Sequence, residues 1–143
     1  MGKKNFAAFF LEKLPSPNIV EIYSEMVKEE KNNLKVLKLH GKRGDYFISK
    51  TLLGYMVGKS GYKIACKDIN EAKIIKVLSQ LGLKEALIPE KVKKDYAEKF
   101  EEKYLELEQK IREVFPLSLK RRLKKKYKSK IYKKIRSEME RII

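Results

Sequence analysis

The last 27 residues of the chain combine an apolar residue at every fourth position with twelve lysines and arginines and only two acids, Glu138 and Glu140. A step of four residues drifts by about 40° against the 3.6-residue turn of an α-helix, so the apolar side chains form one narrow seam. The pattern predicts a single long helix that packs by this seam and keeps its charges in water. The seam consists of Leu119, Leu123, Tyr127, Ile131, Ile135 and Met139.

This basic segment carries a net charge of +10 out of the formal +16 of the 143-residue chain. Each phosphate that a lysine or arginine neutralises releases condensed counterions, so such a concentration of charge favours a nucleic-acid partner. We therefore predict a non-catalytic nucleic-acid-binding protein, while a solvated surface helix remains the alternative. The predicted phosphate contacts are Lys120, Arg121, Arg122, Lys124, Lys125, Lys126, Lys128, Lys130, Lys133 and Lys134.

A second helical stripe lies between Pro89 and Phe115, and Pro116 ends it. Its acidic and basic flanks are nearly balanced, and its seam is narrow enough to pair with a helix of another chain. A homodimer or protein partner through residues 90–115 is therefore possible, which makes a structural or assembly protein the alternative function. An RNA-binding ribonucleoprotein component is a further alternative. The stripe consists of Val92, Tyr96, Phe100, Tyr104, Leu107, Ile111 and Val114.

The clearest local signal of the chain predicts a helix over residues 69–81. Asp68 followed by Glu71 has the spacing of a capping box, and Gly82 supplies a C-terminal stop. Helical spacing of apolar residues also predicts short helices before Pro15 and from Ile19 to about Asn32.

Ser49 has the position of an N-cap for a further helix that holds Leu52, Leu53, Tyr55, Met56 and Val57 and ends at Gly58. Together with the helix over 69–81, this segment resembles a winged helix-turn-helix over residues 49–88. The resemblance implies that the second helix enters the major groove, and it favours DNA over RNA as the partner. The implied recognition side chains are Lys67, Asn70, Lys73, Lys76 and Gln80.

Enzymatic activity has little support, so we expect no catalysis, no cofactor and no metal. Residues 54–60, GYMVGKS, are one residue too short for a phosphate-binding Walker loop. The same stretch is similar to the signature helix of LAGLIDADG homing endonucleases, but Val57 and Lys59 occupy the places of its acids. Cys66 and His40 are the only cysteine and histidine, so multi-cysteine metal motifs are excluded, and His-dependent zinc sites and Cys/His nucleophile pairs lack their usual partners.

Basic turns and exposed aromatic side chains offer further contacts to nucleic acid. We predict secondary phosphate contacts at Lys42, Arg43 and Lys59. The tyrosines that fall outside the helical stripes are the candidates for base stacking. They are Tyr46, Tyr62 and Tyr132.

The predicted fold is mainly α, with at most a small, winged-helix-like β-sheet from residues near 34–39, 46–48 and 62–66. A compact domain over 1–88, with a winged-helix-like part over 34–88, would precede a helical extension over 89–143. Since no run of about 18 apolar residues occurs, we expect a cytoplasmic protein without a membrane segment. Abundant Lys, Ile, Glu and Tyr without tryptophan resembles a thermophile composition.

Overall fold

A computed structural model describes residues 6–142, and these residues form five helices and five strands. In chain order the elements are α1 (Phe6–Lys13), α2 (Ile19–Glu29), β1 (Leu34–Lys38), β2 (Phe47–Thr51), β3 (Gly54–Lys59), β4 (Tyr62–Cys66), α3 (Ile69–Leu81), β5 (Glu85–Pro89), α4 (Lys94–Val114) and α5 (Arg121–Glu140).

The strands form two antiparallel sheets, which makes the fold α+β. β1 pairs with β5, and β2, β3 and β4 follow one another in a three-stranded meander. Helices take up 53% and strands 19% of the described residues. The predicted mainly α fold with at most a small sheet is therefore wrong, because the strands over residues 49–51, 54–59 and 85–89 were not predicted. The strands expected near 34–39 and 62–66 do form, whereas the third extends to Thr51.

Residues 49–58 form most of a β-hairpin and not the predicted capped helix. Leu52 and Leu53 occupy the turn of this hairpin, and both side chains are fully exposed. Gly54 has a φ of +146°, which only glycine adopts readily, and a Cβ at this position would lie 2.7 Å from the carbonyl oxygen of Cys66. The spacing of such a short apolar run is compatible with a helix and with a strand, so the spacing alone does not distinguish the two.

The hairpin also corrects the winged-helix-like part of the predicted fold. A helix-turn-helix needs a helix directly before α3, joined to it by a short turn, and residues 47–66 form three strands there. The expectation of a winged-helix-like fold over 34–88 is therefore wrong.

The predicted helix over residues 69–81 is confirmed as α3, with the expected residues at both ends. The side chain of Asp68 accepts a hydrogen bond from the backbone N–H of Glu71 at 2.9 Å, and Gly82 ends the helix with a left-handed φ of +85°. The carboxylate of Glu71 does not close the capping box. It accepts from the backbone N–H of Lys67 at 3.2 Å and pairs with Lys35 at 3.1 Å.

One hydrophobic core runs through the described residues. α3 packs against β3 on one side and α4 on another, while α5 packs mainly on α1 and α2. The buried cluster includes side chains before and after residue 88, from Ala7 to Met139. The division into 1–88 and 89–143, whose residues 1–5 and 143 lie outside the described range, stays a prediction. None of the helices within residues 6–142 is both long and apolar enough to cross a lipid bilayer.

Candidate nucleic-acid interface

The predicted basic helix is present as α5, and its seam holds it against the rest of the protein. Ile131, Ile135 and Met139 are fully covered, while the earlier seam positions are only half-buried. The first half of α5 is held by an aromatic cluster instead. The Tyr127 ring lies 5.1 Å from that of Phe6 and 6.4 Å from that of Phe115, measured between centroids.

An open groove of about 940 Å³ lies between the end of α4 and the first half of α5. Ile111, Phe115 and Leu117 supply its apolar side chains. Every other residue that lines it is a cation, and we call this site the basic groove. Its cations are Arg112, Arg121, Arg122, Lys124, Lys125 and Lys128.

The six cations of the basic groove make no ion pair with any carboxylate in the described part of the chain. The end of α5 differs, since Lys134 lies 2.9 Å from Glu138 and Arg141 lies 3.4 Å from the same carboxylate. The hydrogen bond and charge of Lys134 lower the pKa of Glu138. Unbalanced positive charge is therefore concentrated at the N-terminal half of α5.

The structure brings five of the ten predicted phosphate contacts into the basic groove: Arg121, Arg122, Lys124, Lys125 and Lys128. The others lie on different parts of the surface. Lys120, Lys126 and Lys133 are exposed, Lys130 lies 5.8 Å from the Tyr127 ring, and Lys134 is paired.

Sequence reasoning missed Arg112, the cation that α4 contributes to the groove. Its helix is nearly neutral as a whole, so its charge did not stand out. Only the turn at Pro116 brings it opposite α5, and the sequence carried no local signal for that arrangement.

A second cationic region begins where the basic groove ends. The Arg43 guanidinium lies 4.3 Å from the ring of Tyr132, which is one turn beyond Lys128 on α5. One turn further, Arg136 donates to the carbonyl of Leu81 at 3.0 Å, and burial together with Arg43 lowers its pKa.

The three predicted secondary contacts lie close together, and we call Lys42, Arg43 and Lys59 the loop cluster. Lys59 donates to the carbonyl of Arg43 at 3.4 Å. The Lys42 ammonium lies 5.7 Å from the ring of Tyr62, whose hydrogen bond and charge raise the pKa of Lys42. Lys42 is exposed and Arg43 and Lys59 are half-buried.

Two of the three predicted stacking tyrosines are wrong. Tyr46 and Tyr132 are only 1% and 2% exposed, and the Tyr46 hydroxyl donates to the carbonyl of Lys42 at 2.7 Å. Tyr62 remains half-buried beside His40, with ring centroids 4.4 Å apart. The exposed aromatic side chain of the three-stranded sheet is Phe47 on β2, which is 67% exposed. Strand alternation was the available signal, since side chains of Tyr46 and Phe47 must point to opposite faces.

Four of the five side chains implied for a recognition helix are half-buried on α3, and the fifth, Lys67, is exposed just before the helix begins. α3 is covered by β3 and α4, and eight of its thirteen residues are buried. Lys67 pairs with Glu90 at 3.8 Å and Lys73 with Glu101 at 3.5 Å. Gln80 accepts from the backbone N–H of Tyr46 at 3.3 Å, and Asn70 and Lys76 are half-buried. α3 has no fully exposed residue, so its packing gives no support to the implied role as a recognition helix.

The stripe predicted for a partner helix is occupied within the protein itself. Tyr96, Phe100, Tyr104, Leu107 and Ile111 are buried, because α2 and α3 pack against α4. A second chain would have to displace this packing in order to reach these five side chains, whereas Val114, at the end of the stripe, is 43% exposed. The assembly alternative thus loses most of the apolar stripe on which it depended.

No group of three or more His, Cys, Asp or Glu side chains within residues 6–142 is arranged to hold a metal ion. Comparison of the chain with protein-family models, with curated proteins and with solved structures finds no match.

Proposed function

We propose that this protein binds nucleic acid without catalysing a reaction, and that the basic groove contacts the phosphate backbone. The proposal depends on one observation. Six cations line one open groove, and none of them forms an ion pair with a carboxylate in the described residues. Because mutual repulsion raises the free energy of such a group in the unbound protein, a polyanion that neutralises it binds favourably.

The extent of the groove favours a chain of phosphates over one small anion. Arg121 and Lys128 are seven residues apart on α5, which corresponds to about 10 Å along the helix axis. Phosphates follow one another every ~3.4 Å of rise along one strand, so several fit within this span. The planar guanidinium groups of Arg112, Arg121 and Arg122 can also donate two hydrogen bonds each to phosphate oxygens.

The preference for DNA over RNA no longer has a basis, because it depended on the winged-helix resemblance. The basic groove contains lysines and arginines that contact phosphates, and such contacts carry no sequence information by themselves. We therefore propose binding to the backbone of either nucleic acid.

Fluorescence anisotropy with labelled DNA and RNA over a salt series tests the proposal. The triple variant Lys124→Gln, Lys125→Gln, Lys128→Gln removes half of the groove's charges. Six phosphate contacts to a duplex predict a slope of log affinity against log salt near −5, and each lost contact reduces this slope by about 1. We expect the triple variant to bind at least ~10-fold more weakly at about 50 mM salt.

The matched control is Lys28→Gln, Lys31→Gln, Lys91→Gln, which removes the same charge from exposed positions near the other end of α4. α4 is 21 residues long, or about 30 Å, which separates these lysines from the groove. Equal weakening in both triple variants would reject the groove as the site. Absence of binding to every DNA and RNA at about 50 mM salt would reject the function and favour the solvated helix. Deletion of α5 is a poor test, because Ile131 and Ile135 belong to the core.

A further inference from the structure

The three-stranded meander covers the core with one face and leaves the other uncovered. Val57 is fully buried on the inner face, where the sheet packs on α3. The strand registers place Phe47, Gly58 and Lys63 in one row across the opposite face, and Ser49, Met56 and Ala65 in the next. We call these six residues the outer sheet face.

Phe47 is the one large aromatic side chain of this face, and its surroundings are small. Its cross-strand neighbour is Gly58, where a Cβ would lie 2.6 Å from the carbonyl oxygen of Tyr62, so this position accepts no side chain without a shift. A shallow hollow of about 290 Å³ lies beside the Phe47 ring and includes Ser49, Met56 and Lys63 in its lining. The ring therefore has room on one side for another flat group.

The charge of the sheet has a single sign. Residues 46–67 include no aspartate or glutamate, and they carry Lys50, Lys59, Lys63 and Lys67, of which Lys67 pairs with Glu90. Lys59 belongs to the loop cluster and also lines the hollow beside Phe47. Through Arg43 and its contact with Tyr132, the loop cluster connects the sheet with the basic groove on α5.

We propose that the outer sheet face binds single-stranded nucleic acid, with an unpaired base stacked on Phe47 and the adjoining phosphates held by Lys63 and the loop cluster. This inference rests on the proposed function and narrows its substrate to nucleic acid with an unpaired segment. Base–aromatic stacking over a cationic sheet is a general way of holding single strands, because every base has a flat face. The charge favours this partner over a protein, whose contact surface would require carboxylates to match these lysines.

The chain has no tryptophan, so Phe47→Trp creates a single fluorescent reporter at the proposed site. We expect an unlabelled single strand to quench this reporter, and a blunt duplex of the same sequence to leave it nearly unchanged. Phe47→Ala is expected to weaken single-strand binding by roughly 5- to 150-fold and duplex binding by less than about twofold. Phe47→Tyr should retain single-strand binding.

Phe9→Ala is the matched control, because Phe9 is also an exposed phenylalanine, at 50%, and lies on α1, which packs mainly on α5. It should leave single-strand binding unchanged. Thermal melting should be the same for the Phe47 variants and the wild type, since the ring is mostly in water, and this result separates lost binding from unfolding.

The outcomes distinguish failure of this inference from failure of the proposed function. If Phe47→Ala leaves single-strand affinity unchanged while the groove variant loses it, the stacking site is wrong and the function stands. If no nucleic acid binds the wild type, both are wrong. If anionic lipid vesicles or a second copy of the chain change the tryptophan signal and oligonucleotides do not, the outer sheet face serves that other partner and the inference is overturned.

Discussion

Glu71 brings a carboxylate into the core at the start of α3, where it is 3% exposed. Its two oxygens bind Lys35 and the backbone N–H of Lys67. Removal of a buried charge leaves its partners unpaired and costs more than the pair itself contributes. We expect Glu71→Ala to lower the free energy of unfolding by about 3 kcal/mol, measured by urea denaturation.

The neighbouring ion pair between Lys73 and Glu101 provides the control for Glu71. Glu101 is 41% exposed and lies 3.5 Å from its partner, so water screens the pair. Glu101→Ala should cost less than about 1 kcal/mol. Similar losses in the two variants would mean that burial of Glu71 adds nothing to stability.

At the scale of elements, the hairpin of β2 and β3 depends on its glycine more than on its leucines. Gly54 combines a φ of +146° with close approach to the carbonyls of Cys66 and Lys67, both of which are backbone atoms that cannot move aside cheaply. We expect Gly54→Ala to destabilise the protein by about 2–3 kcal/mol, since strain and a clash combine. Gly61→Ala is the control, because its φ is +81° but nothing lies within 4 Å, and it should cost about 1 kcal/mol. Equal urea midpoints for the two variants would contradict this account.

The same hairpin explains where sequence reasoning succeeded and where it failed. α3, α4 and α5 were predictable because their apolar spacing persists over thirteen residues or more and caps or prolines mark their ends. The hairpin was not predictable, because its run of apolar residues is too short to distinguish the two-residue period of a strand from the 3.6-residue period of a helix. The pairing of β1 with β5 joins segments about fifty residues apart, which no local pattern encodes.

The residues of the candidate sites also differ in whether the sequence predicted them. The cations of α5 stood out because their helix is basic along its whole length. Arg112 and Phe47 became visible only in the fold, because one depends on how α4 turns into α5 and the other on which face of β2 is covered. The density of charge along a helix can thus be predicted from the sequence, whereas the convergence of charges from different helices on one groove depends on packing.

Across the whole molecule, a cysteine thiol and three tyrosine hydroxyls are buried and have raised pKa values. We therefore expect the protein to lose stability at alkaline pH. Burial raises the pKa of the Cys66 thiol from 9.0 to about 11, with Glu71 adding to the effect. Between these values the unfolded chain loses a proton that the native state keeps, so the free energy of unfolding falls as pH rises from about 9 to about 11. Below about pH 9 both states keep the proton and the thiol contributes no pH dependence. Burial also raises the pKa of Tyr23, Tyr104 and Tyr132, which acts in the same direction from about pH 10 upward.

Urea denaturation of the wild type and of Cys66→Ser at a series of alkaline pH values tests this coupling. Serine keeps a hydroxyl near the carbonyl of Ile64, to which the thiol donates at 3.5 Å, but it does not ionise in this range. The variant should be less stable than the wild type at neutral pH, and the difference should shrink as the pH rises from about 9 to about 11. The many lysines lose charge in both proteins alike, so their effect cancels in the comparison. A difference that stays constant over this range would mean that the thiol ionises equally in the folded and unfolded chains, and that the site around Cys66 is open to water.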